Sequence, residues 1–196
     1  MNFAEYNVKD ANLEEILLAL KSLDTVEAVA LGGSRSTGAS DENSDYDIYV
    51  YCAEIPTAET RENLLGKYCS IAEFGNHYWE SEDNTVMNNG IPVDIIYREV
   101  DRFGRYIDTV IKGGKAFNGY TTAFWHNIKN SKVLFDKTGS FTKFRDMAQI
   151  DFPENLRSAI IKNNRNLLNG KLPSYDRHIK KAQERGDIVS VNHRIT

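Results

Sequence analysis

The sequence has few of the features that mark membrane or secreted proteins. It contains only two cysteines in 196 residues, too few for a disulfide framework, and we expect Cys52 and Cys69 to be packed thiols. No stretch approaches the roughly 20 consecutive apolar residues of a membrane span. The N-terminus also lacks the basic start and apolar core of a signal peptide. These absences predict a cytoplasmic protein with no membrane partner.

Positive charge is scarce in the first two thirds of the chain. Residues 1–139 carry 13 Lys and Arg against 22 Asp and Glu, a net charge of −9. Residues 140–196 carry 11 against 6, a net charge of +5. Because phosphate contacts dominate nucleic-acid affinity, an acidic surface argues against a nucleic-acid partner. It suits metal ions or a cationic substrate, although a solvated acidic surface would give the same balance.

Hydrophobic periodicity predicts a mixed α/β fold followed by helices. The connection between the first two predicted strands has about a dozen residues, too short for a normal parallel crossover, which favours a mixed sheet with antiparallel pairs. We divide the chain into a mixed α/β domain, residues 1–139, and a C-terminal helical region, residues 140–196. Strands are predicted at 26–31, 45–51, 77–79, 91–98 and 132–136, and helices at 13–23, from 56 to about 71, up to 112, at 121–130, 140–149 and 153–169, and from 174 to the end.

Two aspartates open the second predicted strand, DYDIYVY. Asp45 and Asp47 are two residues apart, so their side chains point to the same face of the strand. Tyr46, Ile48 and Val50 alternate on the other face, where a core would lie. Two carboxylates this close repel each other unless a cation lies between them. The pair therefore predicts a site for a hard divalent ion such as Mg²⁺.

A third carboxylate, Asp94, lies between Val93 and Ile95 in the predicted strand IPVDIIYR. A charge at the centre of an apolar strand is costly unless it is paired or bound to a metal. If this strand lies beside DYDIYVY, Asp94 joins the first two carboxylates in a cluster that can hold two ions about 3.5–4 Å apart. Taken singly, each carboxylate could equally be an ordinary strand-end or strand-edge charge.

The loop LGGSRSTGAS, which precedes these aspartates, has the composition of an anion site. Gly32 and Gly33 allow backbone N–H groups to approach an anion closely. Ser34 offers a hydroxyl donor, and Arg35 could reach a phosphate. The loop is neither a P-loop, since GxxxxGK[ST] is absent, nor a dinucleotide fingerprint, since GxGxxG is absent.

These motifs together resemble the signature of the DNA polymerase β-like nucleotidyltransferase superfamily, over roughly residues 13–139. The resemblance implies a mixed sheet flanked by helices, with Asp45 and Asp47 binding Mg²⁺. It implies that Asp94 is a metal ligand or the base for an acceptor hydroxyl. The residues that carry it are Gly32-Gly33-Ser34, Gly38, Ser44-Asp45-Tyr46-Asp47-Ile48 and Asp94, and those it places in the nucleotide site are Gly32, Gly33, Ser34, Arg35 and Ser44.

Two kinds of small enzyme in this superfamily are similar to the chain: antibiotic nucleotidyltransferases and minimal nucleotidyltransferases of toxin–antitoxin pairs. The Gly-Gly-Ser-Arg opening and the helical tail resemble the antibiotic type more. That resemblance implies two Mg²⁺ ions and an NTP, with ATP favoured, and transfer of a nucleoside monophosphate to a hydroxyl of a small molecule such as an aminoglycoside. The alternative is a module that modifies or binds another protein. A deep pocket with acidic side chains would favour the first, and a shallow groove with exposed apolar patches the second.

Three residues near the acidic cluster in sequence order have two interpretations each. Trp79 is expected in the core or as the wall of a pocket. Glu80 and Glu82 are expected as exposed loop charges or as contacts for a cationic substrate.

The C-terminal sequence RHIKKAQERGDIVSVNHRIT ends without a helix cap and still carries apolar residues. Ile188, Val189, Val191 and Ile195 would be left on a helix face with nothing to pack against. The sequence therefore predicts an incomplete C-terminal region in a truncated chain, or a homodimer through the C-terminal helices.

Overall fold

The computed structural model describes residues 10–38, 41, 44–117, 121–170, 172 and 174–195. Contacts within the chain divide it into two compact units. The first comprises Met1–Ile107 and Ala123–Gln149, and the second comprises Asp108–Thr122 and Ile150–Thr196. The boundary of a catalytic domain at residue 139 stays a prediction.

The first unit is built around a six-stranded sheet with strand order β3-β4-β5-β2-β1-β6. β2 and β5 pair in parallel, and the other neighbouring strands pair antiparallel. The predicted mixed sheet is therefore confirmed. The strands are β1 (Val26–Leu31), β2 (Tyr46–Cys52), β3 (Cys69–Asn76), β4 (Ser81–Met87), β5 (Pro92–Glu99) and β6 (Lys132–Asp136).

Helices of both units are short, and those described have at most 12 residues. In the part of the chain that the structure describes, no helix is both long and apolar enough to cross a bilayer. A 3₁₀ turn covers Gly66–Tyr68 and a π-helical turn covers Asn166–Gly170. The helices are α1 (Ala11–Lys21), α2 (Gly33–Thr37), α3 (Ala58–Leu65), α4 (Val100–Ile111), α5 (Ala123–Asn130), α6 (Ser140–Ala148), α7 (Glu154–Arg165), α8 (Tyr175–Glu184) and α9 (Ile188–Ile195).

One face of the sheet carries the main aliphatic core. α1 is capped by Asp10, whose carboxylate accepts hydrogen bonds from the backbone N–H groups of Asn12 and Leu13. The apolar residues of α1 recur every three or four positions, so they share one face and reach the sheet. The fully buried members of this core include Leu13, Ile16, Leu20, Val26, Leu31, Ile48, Val50, Leu65, Val93 and Ile95.

The other face of the sheet carries an aromatic cluster. The ring of Tyr51 on β2 meets Phe103 and Phe141 edge-on, with ring centres 5.4 and 5.1 Å apart, and Phe103 meets Phe144 at 5.4 Å. Such edge-to-face pairs add to the free energy of burial. On β1 the residues opposite Tyr49 and Tyr51 are Ala30 and Ala28.

The helix predicted from residue 56 to about 71 is wrong in its second half. α3 ends at Leu65, and Cys69–Asn76 form the edge strand β3. The hydroxyl of Ser70 donates to the backbone carbonyls of Val86 and Met87. Pairing with β4 decides this segment, because the ladder satisfies backbone groups that helix propensity alone cannot.

The predicted strand at 77–79 is also wrong, since these residues form the turn between β3 and β4. The sequence predicts no strand at β4. The polar side chains of β4 find partners on neighbouring elements: Asp83 pairs with Arg61 of α3 at 3.1 Å, and Thr85 donates to the Val93 carbonyl of β5. Once these partners exist, a polar segment can be a central strand.

The helical character of the C-terminal region is confirmed. The stretch predicted as one helix from residue 174 consists of α8 and α9, which are separated at Gly186 with φ of 66°. Ile188 and Val189 are 72% and 80% exposed. The proposed truncation or dimer stays a prediction.

Candidate active site

The parallel pairing of β2 with β5 places two of the predicted carboxylates side by side. Asp47 and Asp94 are direct partners in the strand register, and neighbouring strands lie about 4.8 Å apart. Both side chains are half-buried. The condition set by the sequence, that the strand carrying Asp94 lies beside the strand carrying Asp47, is therefore met.

The third carboxylate, Asp45, is exposed just before β2. Its charge reaches Asp47, whose pKa is raised from 3.8 to about 6 by burial first, then by Asp45 and then by Asp94. Glu82 on β4 belongs to the same acidic surface, and its pKa is raised by burial and by Asp94. Three strands and the preceding loop thus concentrate negative charge at one place.

Two of the three predicted carboxylates, Asp47 and Asp94, are placed to bind one divalent cation. Among the described residues, no group of three or more His, Cys, Asp or Glu side chains is close enough to hold a metal ion, so the three-carboxylate site stays a prediction. Mg²⁺, however, is usually held by one or two carboxylates and completes its shell with water and substrate phosphates. The adjacent oxygens of Asp47 and Asp94 suit that arrangement.

The glycine pair at the start of α2 is required by close packing against β2. A Cβ at Gly33 would lie 1.7 Å from Oδ2 of Asp47, and Gly33 has φ of +59°. A Cβ at Gly32 would lie 2.4 Å from the Tyr49 ring, and the Gly32 N–H donates to the Asp47 carbonyl at 2.8 Å. The first turn of α2, with half-buried Ser34, therefore lies directly against the carboxylate. The role of Ser34 in phosphate binding stays a prediction.

Arg35 and Ser44 hold the loop that carries Asp45. The Nε of Arg35 donates at 2.9 Å to the carbonyls of Ser44 and Asp45, its Nη2 also donates to Ser44, and its guanidinium lies 4.1 Å from the ring centre of Tyr46. The Ser44 hydroxyl donates to Asp41 at 2.9 Å. These contacts give both residues a positioning role that the sequence did not suggest, and their predicted contact with nucleotide stays a prediction.

A buried ion pair lies farther along the same face. Arg98 on β5 is only 4% exposed and makes two hydrogen bonds to Glu80, at 2.7 and 2.8 Å. It also donates to the Tyr51 hydroxyl and to Asn127, and its guanidinium lies 4.3 Å from the ring centre of Tyr49. Glu80 is therefore a paired residue and not a free loop charge.

A cavity of about 670 Å³ opens at the C-terminal end of β5. Trp79, one of its lining residues, is 86% exposed, so it is a wall of a pocket and not a core residue. Sequence reasoning missed this cavity because its residues come from separate segments. They include Thr57, Ala58, Arg61, His77, Trp79, Glu80, Tyr97, Arg98, Glu99, Arg102, Phe103, Tyr106 and Phe124.

The raised pKa of Asp47 predicts a pH-dependent loss of stability in the metal-free protein. A carboxyl whose pKa is raised on folding stabilises the folded state below pH 3.8, and this contribution is lost as the pH rises through about 6. Asp47→Asn removes the effect. In EDTA, the variant should gain on the order of 1 kcal/mol over the wild type between pH 4 and pH 7.5, after allowance for the partial exposure of Asp47. Urea unfolding at both pH values measures the difference; an equal difference at both would contradict the prediction.

The mixed sheet, the glycine pair against Asp47 and the neighbouring Asp94 together define a nucleotidyltransferase of the polymerase β-like class. The model of the nucleotidyltransferase domain family matches residues 13–117, more than half of the chain. The chain belongs to that family, which makes it an enzyme of the EC 2.7.7 type.

Other comparisons are more distant. No curated protein shows significant sequence similarity to the chain. A solved structure described as the toxin-antitoxin with AMP-PNP is 16% identical, with 90% of this chain and 96% of that chain aligned and a TM-score of 0.40. Similarity at this level carries no conclusion about the substrate or partner of the present chain.

Proposed function

We propose that this enzyme transfers a nucleoside monophosphate from a Mg-bound NTP, with ATP favoured, to a hydroxyl group of a small amine-bearing molecule of the aminoglycoside type. The observation that carries the proposal is the pairing of Asp47 with Asp94 beside the glycine turn of α2. An acidic pair next to backbone N–H groups offers one place for cations and an adjacent place for phosphates.

Asp47 and Asp94 would hold Mg²⁺, with Asp45 next to them; two ions are proposed. When bound, Mg²⁺ would offset the charge of the triphosphate and favour the ionised form of the acceptor hydroxyl. Gly33 and Ser34, in the first turn of α2, would contact the phosphates through their N–H groups and the Ser34 hydroxyl.

The reaction we propose is in-line displacement at the α-phosphate. The acceptor oxygen forms a bond to the α-phosphorus, the bond from the α-phosphorus to the bridging oxygen breaks, and pyrophosphate leaves. The hydroxyl proton passes to a carboxylate oxygen of Asp94. Asp94 suits this step because it lies directly beside Asp47, where the α-phosphate would be held.

The cavity supports a small-molecule acceptor. Its volume of about 670 Å³ lies within the range usual for small-ligand sites. Arg98, which lines it, is four residues from Asp94 on the same strand face, a separation of about 13 Å. Glu82 interacts with Asp94, and Glu99 lines the cavity together with Arg98 and Arg102. Acidic groups at Asp94 and Glu99 could attract amines of the acceptor, and the arginines could attract its anionic or hydroxyl groups.

One assay tests the proposal. The protein is incubated with Mg²⁺ and each of the four α-labelled NTPs, separately with hydroxylated amines and with cell proteins. We expect label on a small amine-bearing acceptor, with one NTP preferred. Label on a protein alone would replace the proposed acceptor by a protein, and no label with any acceptor would contradict the proposed transfer.

Trp79 provides a test of where the acceptor binds. Trp79→Ala is expected to raise the KM for the acceptor about tenfold, because loss of a large aromatic contact weakens binding by about 1–2 kcal/mol. The KM for NTP should not change, and the exposure of Trp79 predicts little effect on folding. Tyr78→Ala is the matched control, since Tyr78 is 71% exposed in the same turn and does not line the cavity. Equal acceptor KM values in the wild type and Trp79→Ala would place the acceptor elsewhere.

A further inference from the structure

A chain of two side-chain amides leads across the sheet to Asp94. The Asn84 Nδ2 donates to Oδ1 of Asp94 at 2.9 Å, and the Asn76 Nδ2 donates to Oδ1 of Asn84 at 2.7 Å. Asn84 lies opposite Asp94 in the register of β4 and β5, and Asn76 lies at the end of the edge strand β3. The hydrogen-bonded chain therefore crosses three neighbouring strands: Asn84 and Asp94 are direct register partners, and Asn76, the register partner of Glu82, reaches Asn84 diagonally.

The direction of this hydrogen-bonded chain is fixed by the carboxylates at its two ends, Glu73 and Asp94, because ionised carboxylates only accept hydrogen bonds. An asparagine amide can present either its oxygen or its nitrogen to a neighbour. Because the oxygen of Asn84 accepts from Asn76, its NH₂ group must face Asp94. The same Nδ2 of Asn76 also donates to Oε2 of Glu73, at 3.4 Å. Each bond thus orients the next, and the last one engages a single oxygen of Asp94.

A neutral donor has a consequence that a cationic one would not have. An Arg or Lys at position 84 would hold Asp94 in place but would also offset its charge. An amide restricts rotation of the carboxylate and leaves the full negative charge available. Strands are depleted in asparagine, yet both amides of this hydrogen-bonded series, Asn76 on β3 and Asn84 on β4, lie in strands at half-buried positions.

We infer that Asn84 and Asn76 are positioning residues, which hold the Asp94 carboxylate in one orientation so that its second oxygen is presented to the space beside Asp47. Only the kcat measurement described below rests on the proposed function; the Mn²⁺-binding measurement does not require turnover. Hydrogen-bond partners of this kind typically contribute 10- to 100-fold to metal affinity or activity.

Mn²⁺ binding to the full chain, followed by the electron paramagnetic resonance of the free ion, tests this without turnover. Asn84→Leu is expected to weaken Mn²⁺ binding about 10- to 100-fold. It should lower kcat similarly while the KM for NTP changes less than about threefold. Asn88→Leu, which makes the same chemical change in the exposed turn after β4, should leave both quantities at wild-type values.

A double variant separates positioning from a general loss of structure. If Asn84 acts through Asp94, adding Asn84→Leu to Asp94→Asn should weaken Mn²⁺ binding no further. If Asn84→Leu does not fold, as judged by circular dichroism, Asn76→Leu replaces it, with an expected loss of about three- to tenfold.

Several outcomes would overturn the inference: wild-type Mn²⁺ affinity in the folded variant, additive losses in the double variant, or no Mn²⁺ binding by the wild type. Failure of the proposed function is recognised separately. In that case no labelled product forms with the wild type, while the Mn²⁺ measurements still decide the role of Asn84.

Discussion

Asp47→Asn is expected to reduce nucleotidyl transfer on the order of 10³-fold or more, while the fold is retained. Asp47 lies at the centre of the acidic cluster, with Asp94 as its register partner and Gly33 against its side chain. Asparagine has nearly the same shape but lacks the charge that would hold a cation. Because burial, and then the charges of Asp45 and Asp94, disfavour the ionised form of Asp47, the substitution should not lower the free energy of unfolding.

The measurement is kcat/KM for transfer to the acceptor identified in the labelling assay, together with thermal unfolding of each protein. Asp101→Asn serves as the control, because Asp101 is an exposed acid at the start of α4. Full activity of Asp47→Asn alongside a fully active control would show that Asp47 has no part in the reaction.

Gly33→Ala is expected to reduce transfer by more than about 100-fold, because the new methyl group would occupy the space of the Asp47 carboxylate. The ideal Cβ position lies 1.7 Å from Oδ2 and 2.7 Å from Cγ of Asp47. Either the carboxylate rotates away from Asp94 or the first turn of α2 moves away from β2. Both movements separate the proposed cation site from the proposed phosphate site, and displacements of about 1 Å can cost 100-fold in rate.

Gly90→Ala is the matched control for the loss of stability that any alanine suffers at a positive φ. Alanine at a left-handed glycine position loses about 1 kcal/mol or more in stability. Gly90 has φ of +85° and nothing within 4 Å of its ideal Cβ position, whereas Gly33 has φ of +59° and meets Asp47. Gly90→Ala should therefore lose stability but keep its activity. If Gly33→Ala lost no more activity than Gly90→Ala, the close approach would have no role in catalysis.

The glycine pair, the two aspartates of DYDIYVY and Asp94 were recognisable in the sequence because each follows a local rule. Glycine permits close approach, alternate residues of a strand share a face, and a charge between apolar residues needs a partner. The same rules located β1, β2, β5 and β6, whose apolar residues are contiguous or alternate. These elements were enough to place the chain in the nucleotidyltransferase class.

Only the tertiary structure shows which polar side chains contact one another around this site. β4 resembles a loop in the sequence because Asp83, Asn84 and Thr85 are polar. It is a strand because each of these side chains has a partner on another segment, and those partners cannot be inferred from the local pattern. Arg98 and Glu80 are 18 residues apart, and they meet only because β4 pairs antiparallel with β5. The sequence by itself determined which chemistry the site supports, since that depends on residue type and short spacing. The fold determined which polar groups orient that chemistry, since hydrogen bonds and ion pairs depend on distances between segments far apart in the chain.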